Sequence, residues 1–540
     1  MSKSKTIAHS PSRAAKKNPD LEKTFDLDVF VEKYIWLLVP ILVLLYFWFS
    51  RGSTGFYQDD EIGHYRNIRQ FWGDPFSIMG NQPKPGWKIL MVVPGLLGFD
   101  GVALAHCLVS ALTVVFTYKL GKALRMKNSI VPALLLAAQP LFLQLSFRSY
   151  SEITAGLLAV LMLYFYYSDR YILAALMSSY IFSIRQEFAL VSIGLGIIFL
   201  MRKKWIPFLL LAWTPLTLAV IGWLVTGHAS WLLDDMRKIG LGVQVPHKPF
   251  WHYFQTYIFM VGPVTLALFV VGYFRIFASA AEWKERIAEH GFLFFTFTIM
   301  WWWAVISAWD ALNFGANPGH WRYLLSIAPL TAIYAGKGMN VLLDRIQTKF
   351  AFIALGVFLL VVLAFLSHDA NGLVLLDTVS YSRFTIVLGV LVAFAMYRGA
   401  RLLPGSAFAV LLLVASLAYT VATEKPRKLD TEASTVKDAA TWYLAHKNEY
   451  GGRPLYCNHV LMRYFADIEI GDSIRNRSMQ KSTLATAPPG SLVMWDSHYG
   501  NSQFGGDVPM DFFTNNPGYK QIDAFIAPDR TFGVLVFLKN

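Results

Sequence analysis

Residues 57–66 read Tyr-Gln-Asp-Asp-Glu-Ile-Gly-His-Tyr-Arg, which sets three consecutive carboxylates, Asp59, Asp60 and Glu61, just beyond an apolar run ending at Ser50. Adjacent carboxylates repel one another, and the repulsion raises the pKa of at least one, as an acid/base residue requires. With His64, the same groups offer hard donors suited to Mg²⁺ or Mn²⁺. A solvated acidic loop would account for the cluster equally well. The choice between these readings rests on what the chain sets beside it.

Four more polar groups interrupt the apolar sequence. Lys84 stands between Pro83 and Pro85, Arg148-Ser-Tyr-Ser-Glu152 joins two apolar runs, Arg185 and Glu187 join two more, and His320-Trp-Arg322-Tyr323 precedes another. A single basic residue at a membrane boundary is commonly a snorkelling anchor. Four such groups on the face that bears the carboxylates favour a shared site. Cations at headgroup depth suit a lipid phosphate as leaving group: they hold the phosphate while a carboxylate deprotonates the acceptor.

The elements that must position these groups are membrane helices. Hydrophobic residues make up 55% of the chain and charged residues 15%, against about 25% charged in soluble domains. Charge-free runs recur thirteen times between 34 and 423, most of them near the length of about 20 residues that crosses a bilayer once snorkelling flanks such as Lys33 and Arg51 are counted. The expected fold is a polytopic α-helical membrane protein with about thirteen spans. Lys3, Lys5, Arg13, Lys16 and Lys17 should keep the N-terminus cytoplasmic, and no apolar stretch before Lys33 reads as a cleavable signal peptide. Counting passes then puts Lys119–Lys127, Arg202–Lys204 and Arg398/Arg401 inside and Asp59–Glu61 outside. The net charge of +13 is a topology signal and not a nucleic-acid footprint.

Runs 171–184 and 188–201 are short, about 21 Å of helix each. Arg170 and Arg202–Lys204 both belong inside, which favours two helices meeting at Arg185–Glu187. One long broken helix would give twelve spans and an interior C-terminus. Three regions result: a cytoplasmic basic tail (1–33), a transmembrane module (34–423) with its first outer loop at 51–100, and a polar extracytoplasmic α/β domain (424–540). In the last, 431–447 has helical spacing, and 492–495 and 533–538 read as strands. Cys107 and Cys457 fall in different regions, so packing must stabilise the domain; this suits a bacterial periplasm and an inner-membrane location.

Asp60-Glu61, placed just after the first span, resembles the Asp-Glu pair of the GT-C glycosyltransferases, integral-membrane enzymes that use polyprenyl-phosphate sugars. Lys84-Pro85 resembles the Lys-Pro-Pro of the protein O-mannosyltransferase and lipid A aminoarabinose transferase branch, with Gly86 in place of the second proline. Arg148-Ser-Tyr-Ser-Glu152 is similar to the Arg-Thr-x-Ser-Glu/Asn segment of the lipid-linked and GPI mannosyltransferases. His320-Trp-Arg322-Tyr323 is similar to their His-Lys-Glu-x-Arg-Phe motif. The resemblance covers roughly 30–340. It implies an inverting hexosyltransferase, with mannose the first expectation, in which Asp60 is the base, Glu61 orients the site and Asp59 is the alternative base. Lys84, Arg148, Arg322, His320 and Arg185 would surround the donor phosphate, and His64, Glu152 and Tyr323 would line the acceptor cavity. No required metal or cofactor is implied. The partners are the lipid donor, the bilayer and a glycan, lipid or protein acceptor, with no nucleic acid. Two alternatives stand beside this: an oligosaccharyltransferase-like enzyme, since Trp495-Asp496 resembles that group's Trp-Trp-Asp, and a lipid-linked-sugar flippase, which would more often show inverted repeats with broken segments in both halves.

Overall fold

Backbone polar groups in a chain this apolar must be satisfied internally, and helices do so segment by segment. The computed structural model describes residues 27–80, 84–238, 247–277, 280–310, 317–343, 404–500 and 507–540, and singly 356 and 389. Among the described residues, five helical segments are long and apolar enough to cross a membrane: Phe30–Gly52, Pro94–Ala123, Trp205–Thr226, Trp283–Trp309 and Gly405–Thr423. The chain is a multi-pass membrane protein. The expected spans at 350–367 and 384–397 lie outside the described residues.

In chain order, the helices that build the site and its frame are α1 (Leu38–Gly52), α2 (Asp60–Gln70), α3 (Pro85–Met91), α4 (Gly98–Ala123), α5 (Ile130–Ala137), α6 (Pro140–Leu145), α7 (Glu152–Tyr167), α8 (Tyr171–Phe182), α9 (Ala189–Met201), α10 (Trp213–Thr226), α11 (His252–Val261), α12 (Pro263–Phe274), α13 (Ala280–Trp309), α14 (Ala328–Leu343) and α15 (Gly405–Thr423). Leu44 and Trp48 of α1 face outward while Tyr46 is fully buried, so a lipid face and a packed face are distinct along one helix.

Two of the expected spans are broken. Run 129–147 divides into α5 and α6, because Pro140 follows an extended Gln139 and starts a new helix. Run 249–274 divides at Gly262, whose φ of +81° precedes Pro263, and α11 meets the segment Pro263–Phe277 at 118°. The segment 171–201 is a hairpin. Ser178 and Ser192 would lie about 21 Å apart along a continuous helix, yet their hydroxyls hydrogen-bond at 2.9 Å. Two helices therefore meet near Arg185, with a 3₁₀ turn at Gln186–Phe188.

Beyond α15, α16 (Thr431–Ala445) is capped by the Asp430 side chain, which accepts the Ala433 N–H at 2.7 Å. Its face of Val436, Ala439, Ala440 and Tyr443 has helical spacing and packs on a four-stranded sheet. The sheet contains β1 (Leu455–Tyr456), β2 (Leu492–Asp496), β3 (Tyr519–Ile526) and β4 (Gly533–Lys539) in the order β1-β2-β4-β3, with β1 and β2 parallel and the other pairs antiparallel. Between β1 and β2 runs the short helix α17 (Val460–Phe465). Ile62 of α2 is buried in this region's core. The first outer loop and the C-terminal region thus share a hydrophobic seam.

Candidate functional site

The three adjacent carboxylates point to three different environments. Glu61 is 1% exposed; it accepts Arg148 Nη1 at 2.9 Å and the Tyr57 N–H at 3.0 Å. Asp59 turns toward the C-terminal region, where the Tyr499 hydroxyl donates to it at 3.0 Å. Asp60 opens the first turn of α2, where a helix N-terminus favours a negative charge. It accepts Arg322 Nη2 at 2.6 Å while 57% of its side chain stays exposed. Of the three, Asp60 alone is both anchored and largely open to an incoming group.

Around Asp60, cations and carboxylates alternate. Arg322, on the 3₁₀ segment Trp321–Ile327, also donates Nη1 to the Gln58 side chain and approaches Glu152 at 3.6 Å. Arg185 donates to Glu187 at 2.5 Å and to the same Glu152 oxygen at 3.0 Å. Both guanidiniums lie over the Tyr323 ring, 4.8 Å away for Arg185 and 5.6 Å for Arg322, and Arg322 also covers Tyr150 at 4.7 Å. Gln58 holds His320 Nδ1 at 3.1 Å. Burial, with Arg322 beside it, brings His320 down to about 4, so the ring is neutral near pH 7.

Lys84 reaches this group from the other side. It occupies the left-handed region, φ +60°, at the N-cap of α3, a conformation costly for a side-chain-bearing residue and typical of functional sites. Burial, then the charge of Arg185, lowers it to about 8. The following Gly86 is required where the motif would carry a second proline. Its N–H donates to Ser183 O at 3.1 Å, and an added Cβ would meet Ser183 Oγ at 1.8 Å. His64 lies against Trp87, ring centroids 5.2 Å apart, and is lowered by burial and by Lys88.

Arg148 is 1% exposed and donates to Gly55 O at 3.0 Å and Gln144 O at 3.1 Å as well as to Glu61. Its contacts fasten the loop carrying the acids to the transmembrane module. Sequence reasoning passed over Lys88, which is fully buried with no hydrogen-bond partner on Nζ and is lowered to about 7 by burial and then by Lys84. The signal available was a second lysine four residues after Lys84, at the start of α3.

Asp59, Asp60, Glu61 and His64 do not converge on one point, so they form no common metal site. Among the described residues, the cluster with metal-ligand spacing is Asp59, Glu432 and His459. Its hydrogen bonds oppose a metal. The Leu461 N–H donates to His459 Nδ1 at 3.2 Å, which leaves the ring proton on Nε2, and Nε2 then donates to Glu432 at 2.9 Å. His498 Nδ1 meets the same Glu432 oxygen at 2.7 Å. Burial alone would raise Glu432, but hydrogen bonds from these two histidines bring it down to about 2. Asp496 receives the backbone N–H groups of His498 and Tyr499 at 3.1 and 2.6 Å and so fixes the turn that presents them.

No family model and no curated protein sequence matches the chain. Among solved structures, the chain is similar to ArnT from Cupriavidus metallidurans in two states. The apo structure aligns with a TM-score of 0.59 and the structure bound to undecaprenyl phosphate with 0.57. Each alignment is at 12% identity and covers 94% of this chain and 98% of that one. The likeness shows that the chain shares this fold over nearly its whole length.

Proposed function

We propose that the chain is an inverting membrane glycosyltransferase that moves a sugar, mannose first, from a polyprenyl-phosphate donor to an acceptor hydroxyl. The reaction takes place at the outer face of the inner membrane, with residues 1–33 cytoplasmic and 424–540 periplasmic. The observation that carries the reading is Asp60: half-open, on a helix N-terminus, and paired with a buried arginine. That arginine shares Glu152 with Arg185, and Lys84 lies near both. The similarity to a structure bound to undecaprenyl phosphate supports a polyprenyl-phosphate donor.

In this reading Lys84, Arg322 and Arg185 hold the donor phosphate. Arg322 exchanges its bond to Asp60 for one to phosphate, and Asp60 is released to accept the acceptor proton. The acceptor oxygen attacks the anomeric carbon as the bond to phosphate oxygen breaks. The electron pair leaves with polyprenyl phosphate, where the cations stabilise it. His320, neutral and hydrogen-bonded to Gln58, orients rather than charges the site, while Glu152 and Tyr323, expected on the acceptor side, instead hold the phosphate-binding arginines, and His64 lines the cavity beside them. Arg148 supports the loop through Glu61. The test is polyprenyl-phosphate release by purified protein. Asp60→Asn should abolish most turnover with donor binding intact, while Asp59→Asn should stay near wild type. Equal loss in both, or in neither, would remove Asp60 from the role of base.

A further inference from the structure

Six residues beyond Asp60, about 240° round α2, Arg66 points into the seam with the C-terminal region. It is 8% exposed, and its Nη1 is enclosed with no hydrogen-bond partner. It lines a cleft of about 540 Å³ together with Arg69, Arg463, Asp74, Asp467 and Glu469. Arg463, on α17, spends Nη2 on the Cys457 and Arg477 carbonyls and leaves Nε enclosed without a partner.

Among the described residues, no carboxylate lies within ion-pair distance of either guanidinium. Glu469 is taken by Arg69 at 3.2 Å. Burial, and then the charge of Arg463, lowers Arg66 to about 10, with only the Cys457 thiol acting the other way. A buried guanidinium beside a second one is strongly disfavoured unless an anion compensates it. The fork geometry of arginine matches a tetrahedral oxyanion in particular. Asp74, Asp467 and Glu469 line the same cleft beyond ion-pair distance of Arg66, so a ligand with hydroxyl or ammonium donors beyond its anionic end would use both parts.

We propose that this cleft is a binding site for a phosphate-type oxyanion, held by Arg66 and Arg463 and carried either by a lipid headgroup or by a soluble phosphate. The site lies apart from Asp60, and its test requires no transfer activity.

The probe is inorganic phosphate against chloride at equal ionic strength, added to the full chain in detergent. In parallel, the chain is placed in nanodiscs of phosphatidylcholine with and without phosphatidic acid. Wild type should show a saturable rise in unfolding midpoint of about 2–4 °C. A rise with free phosphate assigns a soluble source, and a rise with phosphatidic acid alone assigns a lipid headgroup. Arg66→Met should lose the rise and unfold in chloride no earlier than wild type, because an unpaired charge has been replaced by an apolar chain. Arg66→Lys keeps the charge and loses the fork, so its phosphate affinity should fall at least about fivefold. No rise in wild type with either probe, a rise retained in Arg66→Met, or undiminished affinity in Arg66→Lys would each overturn the proposal.

Discussion

Two arginine-lined regions flank the first outer loop, and they differ in how charge is balanced. At the membrane-side centre each guanidinium has a carboxylate: Arg322 holds Asp60, and Arg185 holds Glu152 and Glu187. At the seam with the C-terminal region, Arg66 and Arg463 line one cleft, and among the described residues neither has a carboxylate within ion-pair distance. The first arrangement is an internal set of exchangeable partners, in which an incoming phosphate can take over arginine bonds that carboxylates now make. The second is incomplete without an anion from outside. Paired charge suits a site that must cycle, and unpaired charge suits one that holds its ligand.

The largest expected effect separates Asp60 from its neighbour. Asp60→Asn keeps size and removes the base, so turnover should fall by about 10²–10⁴-fold with donor binding retained. Asp59→Asn, which alters the contacts to Tyr499 and His459 in the C-terminal region, should leave turnover near wild type. Release of polyprenyl phosphate in single-turnover assays reads both.

A stability effect comes next. Glu61→Gln breaks a pair in which Glu61 and Arg148 are each 1% exposed. Leaving one charge buried alone should cost about 3–5 kcal/mol, read as a lower denaturation midpoint. Arg322→Ala should leave stability less affected and instead weaken donor binding. The expected loss is about 1.5–3 kcal/mol, as for a hydrogen bond to a charged group, and Lys84→Ala should do the same. Calorimetry with a non-transferable donor analogue distinguishes these variants from Glu61→Gln.

The smallest effect is one of pH. Lys84 is lowered to about 8 by burial and by Arg185. Between there and its ordinary value near 10.4 the unfolded chain binds the extra proton, so stability should rise with pH across that window. Phosphate binding wants the protonated amine, so donor affinity should fall as pH rises through about 8. Lys84→Ala should flatten that dependence in a binding titration.

The composition made the fold class legible, because charge-free runs of spanning length have few other uses. Asp60, Arg322 and Lys84 were legible from motif order; Asp60 and Arg322 meet in space, and Lys84 lies within electrostatic reach of Arg322. Other features depend on side-chain direction or on breaks that spacing does not encode. Nothing in Arg148's position says that it turns inward to Glu61 and the Gly55 carbonyl. The break at Gly262 falls inside an uninterrupted apolar run, whose period is unchanged by one positive φ. Strand β3 reads Tyr-Lys-Gln-Ile-Asp-Ala-Phe-Ile, and as an edge strand with an irregularity between Gln521 and Asp523 it lacks clean alternation. Asp59 reads as a second catalytic carboxylate until a tyrosine 440 residues away claims it.

In the proposed reaction, the Asp60–Arg322 centre breaks the bond between a sugar and a polyprenyl phosphate. The most direct test incubates the purified full chain with a panel of polyprenyl-phosphate sugars and acceptor alcohols. It follows released polyprenyl phosphate and the anomeric configuration of the product. Release is expected from at least one donor, polyprenyl-phosphate mannose first, with inverted configuration and dependence on Asp60. Intact donor throughout the panel, movement of uncleaved donor across the bilayer, or a product of retained configuration would contradict it.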